Sequence, residues 1–206
     1  MKKFGKIFAF LMIFCLSYLS VKAENSPLMI SFDKLEVDNP KLKMDSFIKF
    51  KFDGKNEVRT LWPAITDKAS FLAIDLNHNG RIDSGLELFG NYTAGSSYND
   101  GFEALTALLD KNKDNIITGN ELNNLLIWHD KNSNGKTEFG ELVKAKRFGL
   151  KKIDLKDLKN EKVYFEENAF AIPFAKESVL IQRKSSQKLI KANIFDIWFK
   201  EFKMMP

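Results

Sequence analysis

The chain has 206 residues, with 32 Lys and Arg against 27 Asp and Glu, a formal net charge of +5, and a single cysteine, Cys15. The length suggests one domain with at most a small appendage, and one cysteine excludes a disulfide-stapled scaffold or a cysteine-built zinc site. Four of the lysines (Lys2, Lys3, Lys6 and Lys22) lie in the first 23 residues; without them 28 Lys and Arg face 27 Asp and Glu, so the concentrated basic face that nucleic acid requires is not expected.

Residues 1–23 read as a cleavable signal peptide. The three N-terminal lysines precede an apolar run, 8-FAFLMIFCLSYLS-20, and Val21-Lys22-Ala23 offers small residues where a signal peptidase reads. An apolar run of 13 residues falls short of the roughly 20 that a membrane span needs. Cys15 follows Met-Ile-Phe rather than the small residues of a lipid-attachment site. The expectation is cleavage after Ala23, export to the periplasm or beyond, no stable membrane insertion afterwards, and residues 24–206 as one domain. That exported chain has no cysteine, so its stability must come from a core, with bound metal able to add to it.

Along the remainder, 28-LMISFDKLEV-37, 45-DSFIKFKFDG-54 and 57-EVRTLW-62 suggest two or three strands, and 71-FLAID-75 is a short apolar run. Helical spacing follows: Phe102, Leu105 and Leu109 in 102–109, then Leu122, Leu125, Leu126 and Trp128 in 121–129. A third short helix is expected over 139–149, ended by Gly149. Strand-like segments return at 151–155, 162–166, 169–175 and 178–183, while 189-LIKANIFDIWF-199 fits either period. The expected fold class is α+β: flanking strands around a short helical core that carries the loops described next.

Those loops are 110-DKNKDNIITGNE-121 and 130-DKNSNGKTEFGE-141, with a near-copy, 75-DLNHNGRIDSGLE-87, upstream. Ca²⁺ takes six to eight oxygens, and a 12-residue loop wraps it with ligands at positions 1, 3, 5, 7, 9 and 12. In 110–121 these are Asp110, Asn112, Asp114, the carbonyl of Ile116, Thr118 and Glu121; Asn115 takes the sharp turn and Ile117 anchors the loop to the core. In 130–141 they are Asp130, Asn132, Asn134, the carbonyl of Lys136, Glu138 and Glu141, with Gly135 at the turn and Thr137 as a weaker anchor. The upstream copy supplies Asp75, Asn77, Asn79, the carbonyl of Arg81 and Asp83, but position 12 is Leu86 and the acid arrives one residue late, as Glu87. Either Gly85 lets the loop absorb that residue or the loop binds without Glu87. A strand, Phe71 to Ile74, leads into it rather than a helix. Because only eight residues separate Glu121 from Asp130, a single two-turn helix, 122–129, is expected to join the two downstream loops and couple their ions positively.

The strings 71-FLAIDLNHNGRIDSGLELFGN-91, 101-GFEALTALLDKNKDNIIT-118, 127-IWHDKNSNGKTEFGEL-142 and 196-DIWF-199 occur in this order. Together they resemble the EF-hand-like calcium-binding domain of secreted bacterial RTX and haemolysin-type proteins, including iron-regulated proteins with a self-processing module. The resemblance covers roughly 50–200 and implies a compact, exported, Ca²⁺-dependent module. The chain departs from those relatives in two ways: it has no glycine-rich nonapeptide repeats, and no Asp-Pro bond of the kind cut in the self-processing members, its prolines following Ser26, Asn39, Trp62, Ile172 and Met205. Self-cleavage at such a bond is not expected, and the chain reads as complete in itself.

The functional expectation is therefore a secreted or periplasmic calcium-binding protein in which Ca²⁺ is structural and couples folding to export. The alternative is a calcium-dependent interaction or adhesion module for an envelope or cell-surface partner, for which Phe195, Trp198, Phe199 and Phe202 would be a docking edge if they were not core. An enzyme is not expected: the exported chain lacks a cysteine nucleophile, and His78 and His129 read as a solvated residue and a helix-end residue.

Overall fold

The structure, a computed structural model, describes residues 26–31, 44–63, 69–156, 158, 163–165, 169–182, 186–199 and 201–202. The expected signal peptide lies outside these residues. The described chain is mostly antiparallel β. Its strands are β1 (Leu28–Ser31), β2 (Met44–Phe50), β3 (Val58–Pro63), β4 (Ala69–Ala73), β5 (Ile116–Thr118), β6 (Leu126–Trp128), β7 (Leu142–Lys144), β8 (Leu150–Asp154), β9 (Val163–Phe165), β10 (Ala169–Gln182), β11 (Leu189–Phe199) and β12 (Glu201–Phe202). Two α-helices, α1 (Gly101–Leu109) and the single turn α2 (Ala145–Phe148), accompany them.

Nine strands form one sheet in the order β5-β8-β10-β11-β1-β4-β6-β7, with β9 pairing on β10; β12-β3-β2 make a second, smaller sheet. The large sheet is apolar on both faces, and alternation along each strand sorts the side chains. Leu28, Ile30, Leu72, Ile127 and Ile194 point to the face that α1 covers with Phe102, Leu105 and Leu109. Met29, Phe71, Trp128, Phe195 and Phe199 point to the other face, where the small sheet contributes Ile48, Phe50, Phe52 and Trp62. Six of these aromatic rings interlock: Trp62 lies 5.0 Å from Phe71, 5.1 Å from Phe50 and 5.3 Å from Phe199, Phe71 lies 5.5 Å from Trp128, and Phe52 lies 5.4 Å from Phe199. Burial on both faces explains why 189–199 did not commit to one period as a sequence: β11 is a strand with apolar residues in successive positions.

The expected α+β class with a helical core is thus overturned. α1 forms as expected, started by Asp100, whose side chain accepts the Glu103 N–H. The two-turn helix over 122–129 does not. A 3-10 turn occupies Gly119–Leu122, and Leu126–Trp128 is β6, paired to β4 on one side and to β7 on the other. Eight residues are too few to hold a helix alone, whereas two ladders satisfy their backbone groups and bury Leu125, Ile127 and Trp128 completely. The helix expected over 139–149 is split likewise. Leu142–Lys144 becomes β7, and only Ala145–Phe148 is helical, ended as expected by Gly149 in the left-handed region.

Candidate cation-binding loops

The three loops hang from this β scaffold. The first (75–87) follows β4, the second (110–121) follows α1, and the third (130–141) runs from β6 to β7. Only the second has a helix leading in; the strand expected before the first is present as β4, and the helices expected on either side of the third are replaced by β6 and β7.

Despite different supports, the loops share one internal geometry. The first-position carboxylate accepts the N–H groups of the fifth and sixth residues: Asp75 from Asn79 and Gly80, Asp110 from Asp114 and Asn115, and Asp130 from Asn134 and Gly135, at 2.8–3.2 Å. The third-position carboxamide oxygen accepts the fifth N–H in each (Asn77, Asn112, Asn132). The fifth-position oxygen accepts the seventh N–H, so that Asn79, Asp114 and Asn134 hold Arg81, Ile116 and Lys136. Left-handed backbone recurs at the fourth and sixth positions: His78 and Gly80, Lys113 and Asn115, Ser133 and Gly135. Asn115 therefore does at the turn what glycine does in its counterparts.

The closing glutamate completes the pattern. Glu121 spans the Lys111 and Thr118 N–H groups with its two oxygens, and Glu141 spans Lys131 and Glu138 in the same way. Glu87 makes the equivalent pair of bonds, to Leu76 at 3.1 Å and Asp83 at 2.8 Å. Of the two readings of the upstream loop, the structure takes the one in which the extra residue is absorbed. Ser84 caps a 3-10 turn over Gly85–Glu87, and Gly85 packs so closely on the small sheet's hairpin that a Cβ there would sit 2.3 Å from the Phe52 carbonyl.

Position 9 separates the loops. Asp83 receives the side-chain amides of Asn77 and Asn79, and Glu138 those of Asn132 and Asn134. The Thr118 hydroxyl instead donates out of its loop, to the Lys151 carbonyl on β8. Asp130 also has a partner that its counterparts lack, the fully buried indole of Trp62, which donates to its Oδ2 at 2.6 Å. Burial pushes the Asp130 carboxyl above its usual range against the Gly135 and Trp62 bonds, and burial pushes Glu87 up as well, with the charge of Asp83 adding to it. Both carboxyls are disfavoured as bare anions, a disadvantage that a neighbouring cation relieves.

Among the described residues, no three Asp, Glu, His or Cys side chains gather as a metal cluster. The loops instead gather carboxylates together with carboxamides, an oxygen set of the kind that suits a hard cation rather than zinc. His129 is not at a helix end: it follows β6, and its Nδ1 lies 3.0 Å from both the Ser70 hydroxyl and the Ala69 carbonyl of β4. Phe195 and Phe199 are core residues and Trp198 is half-buried, so most of the suggested C-terminal docking edge is packed inside.

Sequence reasoning missed two contacts that cross the molecule. One is the Trp62–Asp130 bond, for which an isolated Trp before a proline gave no signal. The other joins two loops through their eighth positions. Thr137 Oγ1 accepts the Ile82 N–H at 2.8 Å and donates to the Ile82 carbonyl at 3.4 Å. The second loop's eighth residue, Ile117, is fully buried as expected and pairs with Ile153 on β8. The coupling expected between the second and third loops through a shared helix thus has no helix to carry it.

A predominantly antiparallel β-fold bearing three acidic loops of one geometry defines the class of protein. The chain belongs to the SPM-domain family, whose profile matches residues 28–199. It is also similar to the iron-regulated protein FrpA of Neisseria meningitidis serogroup C, with 38% identity over 110 residues that make up 50% of this chain and 10% of that protein. The chain therefore spans a small part of the length of that relative.

Proposed function

We propose that this chain is an exported calcium-binding module whose three loops close on Ca²⁺ and brace the β-fold. The observation that carries the reading is the threefold recurrence of one hydrogen-bonding pattern, with Glu87, Glu121 and Glu141 each spanning the second and ninth N–H groups of its loop. Asp75, Asn77, Asn79, the Arg81 carbonyl, Asp83 and Glu87 would hold one ion. Asp110, Asn112, Asp114, the Ile116 carbonyl and Glu121 would hold a second, with Thr118 acting at most through water. Asp130, Asn132, Asn134, the Lys136 carbonyl, Glu138 and Glu141 would hold a third. When bound, Ca²⁺ supplies positive charge among carboxylates that repel one another without it. The basic, apolar N-terminus supports export, and the low free Ca²⁺ of cytoplasm leaves the loops unliganded until then. Affinities of about 10⁻⁴–10⁻³ M suit such a compartment.

Calorimetric titration with CaCl₂ tests the reading directly. Three ions per chain, and a melting temperature that falls when a chelator is added, are expected; no heat and no chelator effect at millimolar Ca²⁺ would discard it. A calcium-dependent contact with an envelope or cell-surface protein is the second reading. What favours it is Phe139, fully exposed between the third loop's Glu138 and Glu141. Chelator-sensitive retention on cells that Phe139→Ser abolishes, at unchanged Ca²⁺ affinity, would raise this reading above the first.

A further inference from the structure

The eighth positions divide the three loops into two and one. Ile82 of the first loop is buried against the aromatic core, and its backbone N–H and C=O both engage one side-chain hydroxyl, that of Thr137. A hydroxyl can accept and donate at once, so Thr137 serves as a two-way bridge between loops that start 55 residues apart. The same two loops share a wall. Gly85 presses on the Phe52 backbone, and a Cβ on Gly135 would meet Ile48 at 2.3 Å, so both are seated against the small sheet. The second loop shares neither feature. Its eighth residue is laddered to β8, and its Thr118 hydroxyl is spent on Lys151.

We propose that the first and third loops act as one cooperative cation-binding pair, with Thr137 as the residue that couples them, and that the second loop binds separately. The inference rests on the calcium reading above. Ordering either loop fixes Ile82 and Thr137 relative to each other, so an ion in one loop prepays part of the ordering that the other requires. By linkage the gain is the same in both directions. The substitution of a threonine at an eighth position, a poor core anchor taken alone, is thereby explained: it anchors to the neighbouring loop.

The test is a double-mutant cycle read at the third loop through the Trp62 indole N–H resonance, since that group donates to Asp130. CaCl₂ is titrated into the whole protein. Glu87→Gln, which weakens the first loop, should raise the third loop's Ca²⁺ midpoint by about fivefold or more, the lower end of ordinary coupling between sites. In a Thr137→Val background the same Glu87→Gln change should shift the midpoint by less than about twofold, and Thr137→Ser should restore the wild-type coupling. Glu121→Gln, which weakens the second loop, should leave the third loop's midpoint within about twofold. The pairing is overturned if Glu87→Gln and Thr137→Val act additively, or if Glu121→Gln shifts the third loop as far as Glu87→Gln does. Those outcomes leave calcium binding intact. A wild-type protein whose indole resonance and heat do not respond to Ca²⁺ instead removes the calcium reading, and the pairing with it.

Discussion

The third and second loops carry nearly the same hydrogen bonds inside and opposite surroundings outside. In the third, Asp130, Ser133, Gly135 and Glu141 are buried, and Trp62 ties the first carboxylate to the aromatic core. In the second, residues 111–115 are exposed, and the loop is held from its ends by α1 and the β5–β8 ladder. A local motif fixes a loop's internal geometry; its burial decides how much of the fold depends on it. Failures in the third loop should therefore spread through the molecule, and failures in the second should stay local.

The largest effect is expected from Trp62→Ala. It opens a cavity among Phe50, Phe71, Trp128 and Phe199 and leaves Asp130 without its indole donor, at a cost of about 3–5 kcal/mol in urea unfolding. Hydrogen exchange should quicken at Asn134 and Gly135 well before it does at Asp114 and Asn115. A loss under about 1 kcal/mol, or equal exchange in both loops, would break the contrast.

Gly135→Ala and Gly80→Ala sharpen it further, because both glycines hold the sixth position at left-handed φ, +70° and +76°. The backbone penalty, about 1–2 kcal/mol, is common to both. Only Gly135 has a neighbour in the way, Ile48 at 2.3 Å, whereas nothing lies within 4 Å of a Cβ on Gly80. Gly135→Ala should cost roughly 1–3 kcal/mol more than Gly80→Ala. Equal losses in thermal unfolding would mean that the third loop's seat on the small sheet is yielding.

These contrasts show where the sequence was readable. The side chains that close each loop with hydrogen bonds sit at positions that spacing within a dozen residues picks out, including the displaced Glu87, whereas Thr118 turns its hydroxyl out of its loop. What spacing could not supply was the scaffold. Leu122, Leu125 and Leu126 suit a helix by period, but two neighbouring strands claim Leu126–Trp128, and long-range pairing outweighs local preference over so few residues. The pairing of loops was hidden for a related reason. Thr137 looks like a weak anchor until its partner, distant in sequence, is known.

The second loop's own support can be probed through Asp196, which lies on β11 beneath the start of α1. One of its oxygens accepts the Gly101 N–H at 3.0 Å, and the carboxyl is fully buried. Burial, with the charge of Asp100 adding to it, holds this carboxyl well above its ordinary value of 3.8. Below that ordinary value the group is protonated in folded and unfolded chains alike, and its contribution to stability is complete. As pH rises towards the folded value, the unfolded chain releases its proton first and the contribution is lost. Asp196→Asn keeps an acceptor for Gly101 and cannot titrate. Its stability relative to the unsubstituted protein should be flat at low pH and grow as pH climbs from about 4. Urea midpoints for the two proteins that stay parallel across this range would show that the carboxyl is ionised in the fold.

The smallest expected effect isolates position 9, where the second loop lacks the carboxylate of its counterparts and carries one at position 5 instead, as Asp114. Asp83 and Glu138 put a carboxylate there, and each gathers two asparagine amides, while Thr118 turns its hydroxyl to Lys151. Ligand charge count tunes the affinity of such loops. A unit charge about 4 Å from another is worth about 1 kcal/mol in water, and an exposed loop lies near that limit. Thr118→Asp should therefore tighten Ca²⁺ at the second loop by roughly threefold to tenfold. The change is compatible with the fold, since Thr118 caps the 3-10 turn over Gly119–Leu122 and Asp is among the best capping residues. Thr118→Val, which keeps the shape and removes the hydroxyl, should change the same affinity by less than about twofold, because that hydroxyl faces β8. A large loss in Thr118→Val would mean that the hydroxyl swings inward when the ion binds. In that event the second loop would use position 9 as its counterparts do, and burial would be the main difference left.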